Sequence, residues 1–418
     1  MLKIDLKELS ERESERVEWK ENVADIDDVV KIITAFANDF SNLGGGYVVC
    51  GAREEKDDYG FQKLSLKGLE ANQLKEIENK VLAHCREKVN PEIVPLVEII
   101  PIESKPSKRI IVFLVPATNY AHSYRARGKD ASTYYIRSGS NTIEAKNGLL
   151  RELLIRKKQL EPWDKRIQPN ATIEDIDLIA LRDYLTEMGL WISKKTVEDY
   201  FSDVDKISDF VPPLAGKSSL SNVLRPKNFT LLMFGKKPLK YFETAYATFS
   251  VYKGKDKSET TAKKYEITGT VVQQARRLIE LLNSESYIGF NKTSDTPNQA
   301  KYPIRALQEA VVNALVHRDY EAPEPTRVTA FIDRIEIVSP GSLPRTIVPE
   351  KFLAGKAHPY WRNQSLAYFF NKMQLAQAEG QGIPTIFRTM KEEGCPAPVF
   401  EIEPERVICI LPANPRVE

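Results

Sequence analysis

The chain has 418 residues, of which 28% are charged and 42% hydrophobic, with a net charge of +2 and four cysteines. That length exceeds one ordinary core and predicts two or three domains, with the composition of a globular protein. The near-neutral balance excludes a globally basic nucleic-acid binder, so any such surface must be a local patch.

The opening MLKIDLKELSERESERVEWK is charged and carries no signal peptide. No apolar run approaches the roughly 20 residues that span a bilayer, so no membrane partner is expected. Cys50, Cys85, Cys395 and Cys409 form no CxxC pair. This argues against a zinc site or a disulfide framework and predicts a cytoplasmic protein.

In chain order, residues 13–20 read ESERVEWK, and residues 28–38 form an apolar helical pattern that breaks at Gly44-Gly45-Gly46. A buried strand is expected at 47–52, followed by the acids Glu54, Glu55, Asp57 and Asp58. A helix follows at 74–88, then strands at 95–102 and 109–115. Next comes a basic, aromatic stretch of Tyr120, His122, Tyr124, Arg125, Arg127 and Lys129, and an alternating strand at 133–137 that ends with Arg137. Arginine and lysine here would neutralise phosphates while Tyr124, Tyr134 and Tyr135 stack on unpaired bases. A tyrosine-rich strand packed in the core is the competing reading.

A basic helix at 147–158 precedes a boundary at Glu161-Pro162. Residues 173–188 read as a helix with Thr172 as N-cap and a stop near Gly189. The run Thr230–Pro238 has a single glycine and lacks the GxxxxGK[ST] phosphate loop. A strand is expected at 245–253, a polar loop at 256–264, a long helix at 267–284 and a polar connection at 291–301.

Residues 307–320, LQEAVVNALVHRDY, read as a helix that places Glu309 and Asn313 on one face, with His317 on the same stripe. A carboxylate and an amide so placed suit holding a metal ion and a water; an ordinary amphipathic helix is the alternative. A strand pair with a turn at Asp333-Arg334 follows, then a break at Ser339-Pro340-Gly341, helices from Arg362-Asn363 and from Gly380-Gln381-Gly382, and a closing strand pair at 399–403 and 406–411.

The ordered set ExxxxExK (Glu13, Glu18, Lys20), AFAN with the glycine run and VVCGAREE, and YYIRSGS resembles the AlbA-like domain of the Schlafen group, over most of residues 10–150. The resemblance implies nucleic-acid binding, DNA or RNA, in which Lys20, Arg125, Arg127, Lys129 and Arg137 take part. Some Schlafen proteins cut RNA with three carboxylates. Glu13 and Glu18 match the first two, and Glu54 or Glu55 would supply the third in place of the usual aspartate. Such acids are hard oxygen ligands for Mg²⁺ or Mn²⁺. Their bland alternative is solvation or pairing with Lys20.

The ExxxN helix, the DRIEIVSPGSLP hairpin, RNxxLA and EGxGI together resemble the divergent ATPase domain of the GHKL group, over roughly residues 300–400. By this resemblance Glu309 orients or deprotonates the attacking water, and Asn313 holds Mg²⁺ against the phosphates of ATP. Gly380 and Gly382 let backbone amides approach phosphate, with Ser339, Gly341, Arg362 and Asn363 completing the cofactor set. Ser339-Pro340-Gly341 stands where the group has DxGxG, so the adenine-reading acid is missing.

The fold expected is α/β (α+β). An AlbA/Schlafen-like mixed-sheet lobe (1–160) and a connector (161–300) lead to a GHKL-like α/β sandwich (301–418). The order matches bacterial ATP-binding transcriptional regulators, and homo-oligomers are expected. A Schlafen-like nuclease acting in phage defence, and a non-catalytic scaffold with a degenerate ATPase lobe, are the competing functions.

Overall fold

A computed structural model describes residues 16–56, 62–196, 199–202, 211–218, 221–258, 261–286, 288–289, 299–344, 347–357, 360–375 and 381–417. The architecture is mixed α+β, in two compact units, Met1–Glu161 and Pro162–Glu418. No helix among the described residues is long and apolar enough to cross a membrane.

The first unit opens with β1 (Val17–Lys20), α1 (Ile26–Asn38), β2 (Gly45–Cys50), β3 (Ala52–Lys56), β4 (Gln62–Leu66) and β5 (Leu69–Glu70). It continues with α2 (Leu74–Glu87), β6 (Val89–Asn90), β7 (Leu96–Ile102), β8 (Lys105–Pro116), β9 (Ser123–Tyr124), β10 (Thr133–Ser138), β11 (Asn141–Glu144) and α3 (Asn147–Arg156). One sheet runs β1–β2–β8–β5, with β7 also on β8. β1 lies parallel to β2, Val17 opposite Tyr47, and the remaining pairs of that sheet are antiparallel. A second sheet runs β11–β10–β9–β6.

Helix α1 starts where Asp25 accepts from the Asp28 amide and stops at Asp39 in the left-handed region. The Asp39 carboxylate then accepts from Leu43 and Gly44, which folds the chain back into β2. The apolar stripe of Val29, Val30, Ile33 and Phe36 packs with Val48, Ile111 and Phe113 of the first sheet. Asn38, the last residue of AFAN, is fully buried. Its amide donates to the carbonyls of His122 and Tyr135, and its oxygen accepts from the His122 amide. One side chain thus ties the helix to the second sheet. The glycine run has a steric cause: a Cβ on Gly46 would stand 2.2 Å from the Phe36 ring, and one on Gly45 would stand 2.1 Å from the Val115 carbonyl oxygen.

The second unit contains α4 (Leu178–Glu187), β12 (Ala215–Ser218), β13 (Ser221–Pro226), α5 (Asn228–Phe234), β14 (Ala247–Tyr252), β15 (Thr261–Ile267), α6 (Val271–Glu285) and α7 (Ile304–Val316). It ends with β16 (Thr326–Ala330), β17 (Arg334–Pro340), α8 (Pro349–Leu353), α9 (Gln364–Lys372), α10 (Gly382–Glu392), β18 (Val399–Ile402) and β19 (Arg406–Pro412). Its six-stranded sheet runs β15–β14–β16–β17–β19–β18. Only the β14–β16 pair is parallel, and α6 and α7 lie in the crossover between those two strands. One core spans the unit, with Phe249, Leu278, Leu307, Val311, Ile337 and Phe370 among its buried members.

Several expectations need correction. The polar stretch 256–264 is not all loop, because β15 begins at Thr261. It is an edge strand, where lysines are normal and hide the apolar alternation. The helix expected from 267 starts at Val271, since Ile267 still pairs with Ala247 and Thr270 forms a capping box with Gln273. The helix expected over 173–188 is a short 3-10 turn and then α4. Asp177 interrupts it by accepting from the Ile179 and Ala180 amides and so starting a new helix. Arg334 is not a turn residue but the first of β17. The run 228–234 is helix α5, buried throughout.

Candidate functional site

Helix α7 presents Ala306, Leu307, Ala310, Val311, Ala314 and Leu315 to the core. Glu309 is also buried, at 6% exposure. No cation lies within ion-pair distance of it among the described residues, and burial pushes its carboxyl above the usual range, opposed weakly by Arg305. One turn on, the Asn313 amide nitrogen is buried without a hydrogen-bond partner. Both side chains face Gly382, the first residue of α10. A Cβ there would meet the Asn313 amide at 3.0 Å and a Glu309 carboxylate oxygen at 3.1 Å. Gln381 supplies no side-chain cap to α10, and Pro384 has no amide hydrogen, so the first-turn donors there are the Gly382 and Ile383 amides.

Beside these groups lies a cavity of about 160 Å³. A site of roughly that size accepts a benzene-sized ring. Its floor is Ile337, Val407 and Cys409 of the sheet, and its walls include Ala310, Ala314, Ile383 and Phe352. His317 and Trp361 stack at one side, centroids 5.0 Å apart and 16° from parallel. Burial, with Arg362 nearby, pulls the His317 imidazole down to about 4, so it is neutral at pH 7.

Five successive carbonyls at the end of α7 are each taken by a side chain. Ser339 donates to Ala314, Tyr320 to Leu315, Asn363 to both Val316 and Arg318, and Arg362 to His317. These are the acceptors that a helix terminus leaves orphaned. Ser339, Gly341, Arg362 and Gly382 also line the cavity. Asn363 does not; it is 1% exposed, and its amide is spent on the helix end. Gly341, at φ 107°, lets the chain pass Asp319, whose Cβ would be 2.7 Å from a Cβ at that position. Gly380 lies outside the described residues.

Sequence reading missed Trp361, Cys409 and Ile337, which carry no motif and meet only through the sheet. It also missed Asp164, which is fully buried and accepts from the Ser365 amide at 2.7 Å, capping α9 from far along the chain.

The His317 shift has a measurable sign. A base whose folded value is depressed binds its proton mainly in the unfolded state, so stability is full above about pH 6.5 and falls as pH drops towards 4. His317→Phe keeps a ring on Trp361 and should flatten that fall by about 1–2 kcal/mol, a figure discounted for partial exposure. Parallel pH profiles of urea unfolding for the two proteins would disprove it.

In the first unit, Glu18 on β1 accepts from Arg137 at 2.9 Å and pairs with Lys20 at 3.2 Å. Lys20 also pairs with Asp28 at 2.7 Å. Arg137 is 5% exposed, donates further to Thr142 and the Ser140 carbonyl, and rests on the Phe36 ring. Glu55 is held at about 2 by hydrogen bonds from Lys67, then Arg53. Glu54 lies on β3, and Glu13 lies outside the described residues. No group of three metal-ligating side chains occurs among the described residues.

Arg125, Arg127 and Lys129 are exposed around Gly128 and have no carboxylate within ion-pair distance among the described residues. Tyr124 is fully buried beneath them, hydrogen-bonded to Asp27, and so belongs to the core.

Arg137 depends on Glu18 for its counter-charge. Glu18→Gln should therefore cost the first unit about 1–3 kcal/mol, below the full penalty of a wholly buried pair because Glu18 keeps some exposure. An unchanged urea midpoint would show the pair to be dispensable.

Residues 13–146 match the family model Schlafen, AlbA_2. Residues 324–411 match HATPase_c_4, described as "Putative ATP-dependent DNA helicase recG C-terminal". Helix α7, with Glu309 and Asn313, precedes the second match. No curated protein matches the chain. Among solved structures, the DIP2311 protein from Corynebacterium diphtheriae is similar with TM-score 0.45 and 16% identity, over 96% of this chain and 76% of that one. The N-terminal domain of a "Putative ATP-dependent DNA Helicase RecG-related Protein" from Nitrosomonas europaea gives TM-score 0.25 and 22% identity, over 33% of this chain and 86% of that one. The chain therefore joins a Schlafen AlbA_2 segment near its start to an ATPase-like HATPase_c_4 segment near its end.

Proposed function

We propose that the protein binds ATP in the cavity beside α7 and nucleic acid through the exposed cations of residues 125–129, and that nucleotide occupancy sets its hold on nucleic acid. One observation carries the nucleotide reading. Among the described residues, a buried carboxylate without a counter-ion and a buried amide nitrogen without a partner, one turn apart, face a glycine at a helix start without a side-chain cap, beside a ring-sized cavity. Burying such groups costs free energy unless a ligand completes them.

The residues fit a magnesium–triphosphate. Mg²⁺ takes few protein oxygens and keeps waters and phosphate oxygens, and the Asn313 amide oxygen is suited to be one of the few. The ion would supply charge neutralisation at the phosphates. Glu309, whose proton affinity burial raises, would orient or deprotonate a water. The amides at the start of α10 offer donors to an anion, and Gly382 leaves room for its approach. In the cavity, the Ser339 hydroxyl donates to Ala314 and keeps its lone pairs for an exocyclic amine. His317, being neutral, adds no positive charge against a base.

Melting curves with ATP and Mg²⁺ test the first half. Saturating nucleotide should raise the transition by several degrees, and no shift would leave a scaffold with a degenerate site. Anisotropy of a labelled oligonucleotide with and without ATP tests the second. Equal affinities would remove the regulatory link.

A further inference from the structure

The cavity occupies the β17–β19–β18 side of the six-stranded sheet; a different surface stands at its β15–β14 edge. Residues 253–264 carry Lys253, Lys255, Lys257, Lys263 and Lys264 against two acids, Asp256 and Glu259, while the whole chain nets +2. All five lysines are exposed. Lys263 has Glu285 at 4.0 Å, and the other four have no carboxylate within ion-pair distance among the described residues.

Nearby acids are already engaged. Asp333 and Glu336 pair with Arg334, and Asp256 accepts from the Ser258 amide and hydroxyl. The turn that carries the lysines is held from beneath. Arg334 donates to the Lys255 carbonyl at 2.8 Å, and the Ile332 amide donates to the Gly254 carbonyl at 3.1 Å.

Protection of a sheet edge explains lysines on β15, since charge there prevents pairing with other chains. It does not explain Lys253, Lys255 and Lys257, which lie in the turn after β14. We infer that this lysine turn is a second nucleic-acid contact, on the ATPase-like unit itself, which grips the phosphate backbone without reading sequence.

The chemistry follows from the side chains. Ammonium groups act as mobile point charges towards phosphate and lack the planar fork that reads a guanine edge. The neighbouring aromatics offer no stacking platform: Tyr252 packs on Phe331 and Tyr265 on Phe249. A turn and an edge strand also differ from the amphipathic helix that lipid surfaces select.

The inference rests on the nucleic-acid reading above, but not on residues 125–129. The test uses the full chain in three forms: wild type, Lys253→Ala/Lys255→Ala/Lys257→Ala, and Arg125→Ala/Arg127→Ala/Lys129→Ala. Affinity for a labelled oligonucleotide, single-stranded and duplex, is followed against salt, with equal melting temperatures as the folding check. Each lost phosphate contact lowers the slope of log affinity against log salt by about 0.7–0.9. The lysine variant should lose about 2 from that slope for every sequence tried.

An unchanged slope in the lysine variant, with a loss in the arginine variant, overturns this inference and leaves the first contact standing. The reverse pattern supports it and removes residues 125–129 as a contact. No binding by wild type, or binding only to phosphatidylserine vesicles, defeats both.

Discussion

Asn313→Ala should abolish the thermal stabilisation expected when ATP and Mg²⁺ are added to the wild type. A ligand at about 100 times its dissociation constant adds about 2.7 kcal/mol, and most of that gain should vanish. The reason is local: together with Glu309, Asn313 brings polar atoms of α7 to Gly382, it lines the cavity, and its amide nitrogen has no hydrogen-bond partner among the described residues. The free protein should keep its stability, because removing an unsatisfied buried group leaves nothing stranded. Calorimetry that returns wild-type affinity for the variant would move the metal and phosphate elsewhere.

Glu309→Gln should separate stability from turnover. An acid whose folded value is raised stabilises the fold fully below its unfolded value and loses that contribution as pH climbs through the folded one. Once ionised, the wild type carries a buried charge that glutamine lacks. The variant should melt higher, by about 2–4 °C if the gain is about 1 kcal/mol, and the gap should widen with pH above about 4.5. ATP hydrolysis should fall by a factor of about 100 or more, the usual contribution of a positioned base. A variant that still turns over ATP places the base elsewhere, and one that melts lower gives Glu309 a structural partner in the fold.

Much of this architecture is legible in the sequence because its helices are amphipathic and its inner strands alternate. The helices over Ile26–Asn38 and Ile304–Val316 and the strands over Thr326–Pro340 show that periodicity plainly. Strand β15 hides because its edge position tolerates lysines at successive residues. The Glu309–Asn313 juxtaposition is readable from helical spacing alone, whereas Gly382 facing both depends on α10 crossing α7. The same limit hides the Glu18–Arg137 pair and the Asp164–Ser365 cap. Each joins segments far apart in sequence, and no local pattern encodes the meeting. Asn363 shows the converse: a residue that the resemblance assigns to cofactor binding spends its amide on the end of a helix.

Strand β19 lies between β17 and β18 and supplies Val407 and Cys409 to the cavity floor. During synthesis the ribosome releases those residues after nearly all others of the second unit. Until then β17 has an open edge and the pocket lacks the two floor residues that β19 supplies. Nascent chains must wait with apolar surface uncovered, so this unit should lean on cotranslational chaperones more than a unit closed by its early strands.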